Sequence, residues 1–296
     1  MKLWYRKPAG CWTEALPIGN GRLGAMVFGG IETERLQLNE DTLWSGSPKD
    51  GNNPRAREVL PEVRRLVFEG KYTEAHMLCK RMMGPYNQSY LPLGDLYLHF
   101  YHGGVAKAYT RILDLQEGVS RVEYRIGEVV YTREMFASYP DQVIVVRLQA
   151  SRPEMLHLTA RLTSPLRYRT FADGTQLVLQ GWCPEHVAPN YYDVDFPVQY
   201  GDPETSDAMR FEARLACVLT EGTCRTDHDG MHISGATAVT FIFGAATSFN
   251  GFDKSPGRDG QDPSPLVANH IRKALCRTFE QLRHAHSTDY TALFKR

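Results

Sequence analysis

The sequence is short of most signals that assign a function at once. There is no excess of charge: 34 Lys and Arg balance 34 Asp and Glu among 296 residues, and the pI is about 7.1. Nucleic-acid binders usually show a basic face and a high pI, so no nucleic-acid partner is expected. No run approaches the roughly 18 consecutive apolar residues of a membrane span, so no membrane partner is expected either. The N-terminal MKLWYRKPAG carries charge but no apolar segment of the secretory kind. There are only six cysteines (Cys11, Cys79, Cys183, Cys217, Cys224 and Cys276), scattered and without a CxxC pair. In a chain of this length they read as reduced thiols, which predicts a cytoplasmic setting. HExxH spacing is missing too. His284 and His286 lie two apart, which on a helix puts them on different faces. Neither a metal nor an organic cofactor is expected.

What is present is the balance of a globular protein, with 42% hydrophobic and 23% charged residues. The length suits one large domain or two small ones. The richest stretch is WTEALPIGNGRLGAMVFGGIETERLQLNEDTLWSGSP, Trp12 to Pro48. It reads as a strand pair turning at Gly19-Asn20-Gly21 and ending on the polar cluster Asn39-Glu40-Asp41-Thr42 beside Trp44. Amides and carboxylates for hydroxyls, with an aromatic face for a ring's C–H side, are what a sugar site needs. The same residues also suit a polar turn packed under a Trp, because Asn, Asp and Thr favour turns for local backbone reasons.

Beyond Gly51-Asn52-Asn53-Pro54, the spacing of Val59, Val63, Leu66 and Val67 predicts a helix over 54–69. Ala75, Leu78 and Met82 predict a second one over 72–83, closed by Gly84-Pro85. From Gly94 the period becomes two. Leu96, Leu98 and Phe100 alternate with Asp95, Tyr97 and His99, and further runs follow at 111–115, 119–126, 129–137, 142–150, 156–163 and 176–181. Strands resume at 209–219, 231–234 and 239–246. Many short strands with few helices between them predict a mainly β fold, a large antiparallel β-sandwich with a helical insertion at about 54–83. Residues 182–207 lack a period and read as one long loop, rich enough in aromatics to be ordered. A Gly/Pro/Asp-rich break covers 250–265. A single helix is then expected over 266–285, with Val267, Ile271, Leu275, Phe279 and Leu282 as its apolar stripe. Domain boundaries follow: a sandwich over 1–250 and a linker with a helix over 251–296.

Several segments together resemble the N-terminal domain of family 95 glycoside hydrolases, the α-L-fucosidases. They are ALPIGNGRLGAMVFGG, ERLQLNEDTLWSG, YLPLGDLYL, YTREMFASYPDQVIVVRL, HVAPNY, AATSFNGFDKSP and HSTDYTALFKR, which occur in order over nearly the whole chain. The GNG turn alone would be weak, since related (α/α)-barrel phosphorylases carry one like it. The resemblance implies a β-sandwich and linker helix followed by an (α/α)6 barrel that holds the catalytic acid and the water-activating residues. No catalytic residue can be carried onto this chain.

It further implies a fucosylated oligosaccharide or related glycan as partner, together with an (α/α)6 catalytic barrel in cis or in trans. Asn39, Glu40 and Trp44, then Tyr86 and Gln88, then His186, are the candidates for a substrate-cleft rim. For each, a packing role is the competing reading. A free-standing carbohydrate-binding module and one subunit of a split glycosidase stand as alternatives to an N-terminal domain that is inactive alone.

Overall fold

Alternation between apolar and polar side chains decides most of the architecture. In the segment Gly94–Phe100, every second residue is buried and the intervening ones are half-exposed, as a strand between core and solvent requires. The computed structural model describes residues 1–296. The chain opens with strands β1 (Lys2–Tyr5), β2 (Leu16–Gly19), β3 (Leu23–Val27) and β4 (Thr33–Glu40). Helices α1 (Ala56–Phe68) and α2 (Tyr72–Cys79) follow. A long β region comes next: β5 (Gly94–Phe100), β6 (Lys107–Asp114), β7 (Val119–Ile126), β8 (Val129–Ser138), β9 (Val143–Ala150) and β10 (Leu156–Thr163). It continues with β11 (Arg167–Asp173), β12 (Gln176–Trp182), β13 (His186–Val187), β14 (Val198–Gln199) and β15 (Arg210–Thr220). Strands β16 (Thr223–Asp227), β17 (Gly230–Ala236) and β18 (Ala238–Thr247) complete it, and helices α3 (Pro263–Leu275) and α4 (Phe279–Phe294) end the chain.

Two antiparallel sheets result. One has nine strands in the order β1-β6-β7-β8-β9-β18-β15-β12-β11; the other has seven, β16-β17-β10-β5-β4-β3-β2. Their inner faces close one core, to which Leu36, Leu96 and Leu158 contribute from the smaller sheet and Met135, Val146 and Phe241 from the larger. The mainly β, sandwich-like fold expected from the strand pattern is therefore present. None of the helices is long and apolar enough to cross a membrane.

Strand β18 is buried at all ten positions, although a sandwich strand normally shows one face to water. The reason is a third layer. Val267, Ile271 and Ala274 of α3 and Leu282 of α4 form a second core with Ile242 and Ala246, on the outer face of the nine-stranded sheet. Gly244 makes the close approach possible: a Cβ there would lie 3.2 Å from Val267 Cγ2 and 3.3 Å from Ile271 Cδ1. The stripe from Val267 to Leu282 thus packs on the sandwich.

Several expectations need correction. The single helix over 266–285 is two helices. The chain breaks at Cys276–Thr278, and α4 restarts on a capping box in which Thr278 and Gln281 satisfy each other's backbone N–H groups. The opening stretch holds three strands, not a pair, with Asn39 and Glu40 at the end of β4 rather than in a loop. Edge strands β1, β11 and β16 lie outside the runs that the period predicts, and residues 182–207 contain the β13–β14 ladder. Helix α2 stops at Cys79 and a 3-10 turn completes it.

Helix α4 is held by His286, which is 3% exposed and stacks on Phe136. Its ring nitrogens face the carbonyls of Ala137 at 3.0 Å and Glu117 at 2.9 Å. Burial pushes its pKa below the ordinary 6.5, and the two carbonyls only partly oppose that. A His with a depressed folded pKa contributes stability that is present above pH 6.5 and lost as pH falls through the folded value. Stability measured by urea unfolding should therefore fall between pH 7.5 and pH 5, and His286→Gln should flatten that dependence. An identical slope in the variant would remove His286 as its cause.

A buried ion pair joins the two sheets. Arg133 of β8 reaches Glu34 of β4 at 2.9 Å, and both side chains are at most 1% exposed. Glu34 also accepts from the backbone N–H groups of Gly29 (2.7 Å) and Arg35 (3.1 Å). Arg133 donates further to the Tyr124 hydroxyl at 2.7 Å and the Ile31 carbonyl at 3.0 Å. Its guanidinium lies over the Phe100 ring, 4.1 Å from the centroid.

Candidate functional site

Two clefts adjoin at one end of the sandwich. The first encloses about 370 Å³ and is built from four stretches: 41–51, 85–88, Met209 and 249–256. The second encloses about 700 Å³ between 85–88 and the 186–199 segment. Lys49, Pro85, Tyr86 and Gln88 belong to both, so the clefts share a wall.

Trp44 lines the first cleft, half-exposed at 45%, and packs edge-on against Tyr90 with ring centroids 5.3 Å apart. An isolated backbone bridge between Trp44 and Tyr90 fixes the indole. Gln88 clasps the shared wall. Its Oε1 accepts from Ser45 Oγ and from the Val187 N–H, both at 3.1 Å, and its Nε2 lies 3.2 Å from His186 Nδ1. With an amide donor on Nδ1, a neutral His186 carries its proton on Nε2. Gly46 makes this junction possible: at φ +74, a Cβ there would meet Gln88 Cγ at 2.6 Å. Its N–H donates to the Pro184 carbonyl at 2.9 Å, bringing the long segment against the Trp44 turn.

Of the sequence-predicted rim residues, the structure brings Trp44, Tyr86, Gln88 and His186 together around the two clefts. It does not bring Asn39 and Glu40 to them. Glu40 is 2% exposed and lies beneath. One carboxylate oxygen accepts from the Thr42 N–H and hydroxyl at 2.8 and 2.7 Å, and the other faces Arg22 at 3.3 Å. Arg22 continues to the Ala245 carbonyl at 2.6 Å and to Gln142 Oε1 at 2.7 Å. The network thereby ties β4 to β18 and to the turn before β9. Burial raises the Glu40 pKa above the usual carboxylate range, while the two Thr42 hydrogen bonds and Arg22 work against it. Asn39 sits in a separate groove with Trp12, Pro17 and Pro92, and donates to the Tyr90 hydroxyl at 2.5 Å.

Other lining residues escaped the sequence reading. Phe252 and Lys254 come from the 250–265 break, Phe249 stands just before it, and Tyr192 and Phe196 come from the long segment. Phe252 is 89% exposed, and Tyr86 packs edge-on to Tyr192 at 5.2 Å. Phe252 inside a Gly/Pro-rich stretch, with Phe249 just before it, is the available signal. The exposed turn Asp227-His228-Asp229 places three ligand-type groups within 4.8 Å of one another, but it touches neither cleft.

As chemistry, the clefts offer aromatic faces, amide and hydroxyl groups, and few carboxylates. That is the set of groups a polyhydroxylated ring requires. Inverting glycoside hydrolysis needs two carboxyls about 6.5–9.5 Å apart on opposite sides of the bond. The one carboxylate of the NEDTLW segment that the structure buries, Glu40, is committed to Thr42 and Arg22.

Residues 3–251 match the family model described as glycosyl hydrolase family 65, N-terminal domain. Over all of this chain, the sequence is 33% identical to "Alpha-L-fucosidase 2" of Arabidopsis thaliana, of which it covers 36%. Against "Probable alpha-fucosidase A" of Aspergillus niger the identity is 29%, over 96% of this chain and 35% of that protein. The chain thus spans about a third of the length of the curated relatives it matches. In fold, it is similar to a solved structure described as "Putative kojibiose phosphorylase from human microbiome". The TM-score is 0.56 with 8% identity, over 98% of this chain and 37% of that one.

Proposed function

Because the chain belongs to the family of glycosyl hydrolase family 65 N-terminal domains and is homologous to α-L-fucosidases, we propose that it is the substrate-side sandwich of an inverting α-L-fucosidase of the family 95 kind. In this role it shapes one side of the active-site cleft and packs against an (α/α)6 barrel that supplies the acid and the base. The substrate is a fucosylated oligosaccharide or a related glycan. The observation that carries the proposal is the paired cleft, where Trp44, Tyr86, Gln88 and His186 converge although they come from segments far apart in sequence. Six free cysteines favour a reducing, cytoplasmic setting.

Two measurements test this reading. Purified residues 1–296 should release no aryl alcohol from an aryl α-L-fucoside; hydrolysis by this chain alone would overturn it. Joined to the barrel of a relative, Trp44→Ala and Tyr86→Ala should each raise KM roughly three- to tenfold, the worth of an aromatic contact of about 0.5–1.5 kcal/mol. Unchanged KM and kcat in both variants would remove the rim role. The same exposed aromatics would also serve a free-standing carbohydrate-binding module. Calorimetry separates the two, since a module should bind fucosylated glycans as tightly without a barrel as with one.

A further inference from the structure

The two clefts differ in charge. Three charged residues line the first: Asp41, Lys49 and Lys254. The second has Lys49 with Asp193 and Asp195, beside His186. Lys49 and Lys254 are both exposed, and neither ammonium has a carboxylate within the 4.0 Å that defines an ion pair. Around them stand Trp44, Tyr86 and the 89% exposed Phe252. Aromatic faces alone would suit a neutral sugar. Two free cations at the same place add attraction for a negative substituent on the ring that stacks there. The Asp-bearing second cleft would repel that substituent, so the charge also gives the bound chain a direction.

Resting on the proposed glycan-binding role, we propose that the first cleft selects an acidic glycan, one whose sugar carries a carboxylate or an ester sulfate contacted by Lys49 and Lys254. The contact is reversible and leaves the substituent in place. Carboxylate and sulfate present the same chemistry to an ammonium group, so the ligands must distinguish them.

Calorimetry of residues 1–296 at low salt, with three fucosylated oligosaccharides of one neutral core, supplies the test. One is unsubstituted, one carries a uronate and one an ester sulfate. The acidic ligands should bind roughly three- to tenfold more tightly than the neutral one, the range expected for one or two exposed ion pairs. The advantage should shrink as salt rises. It should vanish in the Lys49→Met/Lys254→Met double variant, with neutral binding kept, and survive in Lys295→Met, a control far along the chain. A gain for only one acidic ligand identifies the substituent. Equal binding of all three ligands overturns the acidic preference while leaving the cleft a sugar site, and so does a preference that persists in the double variant. Binding of none overturns the acidic preference and the free-standing module, and leaves the rim role to the KM test in the barrel-joined enzyme.

Discussion

Glu34→Ala is expected to destabilise the fold by about 3–5 kcal/mol, the cost of leaving one partner of a buried ion pair alone. Arg133 is 1% exposed and cannot turn to water, so its charge stays between the sheets without a counter-charge. The backbone N–H groups of Gly29 and Arg35 lose their acceptor in the same step. Urea unfolding should show a lower midpoint at unchanged slope. Adding Arg133→Met should recover part of the loss, because a pair removed together leaves no stranded charge. If the double variant is less stable than Glu34→Ala, the ion pair is not the source of the loss and the wider Arg133 network is. Glu34 itself has its pKa pushed up by burial, with Arg133 and the backbone donors pulling it back.

Glu40→Ala should cost less, about 2–3 kcal/mol. The chemistry is similar but the surroundings differ: Arg22 is 22% exposed, against 1% for Arg133, so water can take over part of its solvation. The loss comes from the Thr42 contacts and from the ion pair with Arg22. It should show as lower stability with little change in kcat or KM, once the folded fraction is accounted for in a barrel-joined enzyme. A fall in kcat at full folding would instead give Glu40 a part in the reaction. Glu40→Gln keeps an acceptor for Thr42 and should lose about half as much.

These two carboxylates also mark where sequence reasoning stopped. Glu34 and Arg133 lie 99 positions apart, and nothing in either neighbourhood announces the pairing. Glu40 reads as a polar residue beside a Trp, but not as one facing inward, because Asn, Asp and Thr around it read as a loop, where no alternation says which way a side chain faces. By contrast, Leu96, Leu98 and Phe100 announced their strand through period two, and the core of the sandwich was legible for that reason. The split between α3 and α4 was missed because Leu275, Phe279 and Leu282 keep helical spacing across the break. Thr278 and Gln281, three apart, were the signal for a restart. The clefts were half legible. Trp44, Tyr86, Gln88 and His186 stood out by type, whereas Phe249, Phe252 and Lys254 sit in a stretch without a period, where only the backbone's path decides which side chains meet.

The place of β18 sets a timetable for biosynthesis. It lies between β9 and β15 in the nine-stranded sheet, yet it is the last strand to be made, ending at Thr247. Until it leaves the ribosome, β1-β6-β7-β8-β9 and β15-β12-β11 are two half-sheets, each with an unpaired inner edge. At about 5–20 residues per second, the interval from the end of β9 to the end of β18 lasts roughly 5–20 s. During it those edges are open to pairing with other chains. Truncations ending before Ala238 should therefore aggregate, while a chain ending after Thr247 has what it needs to close the sheet.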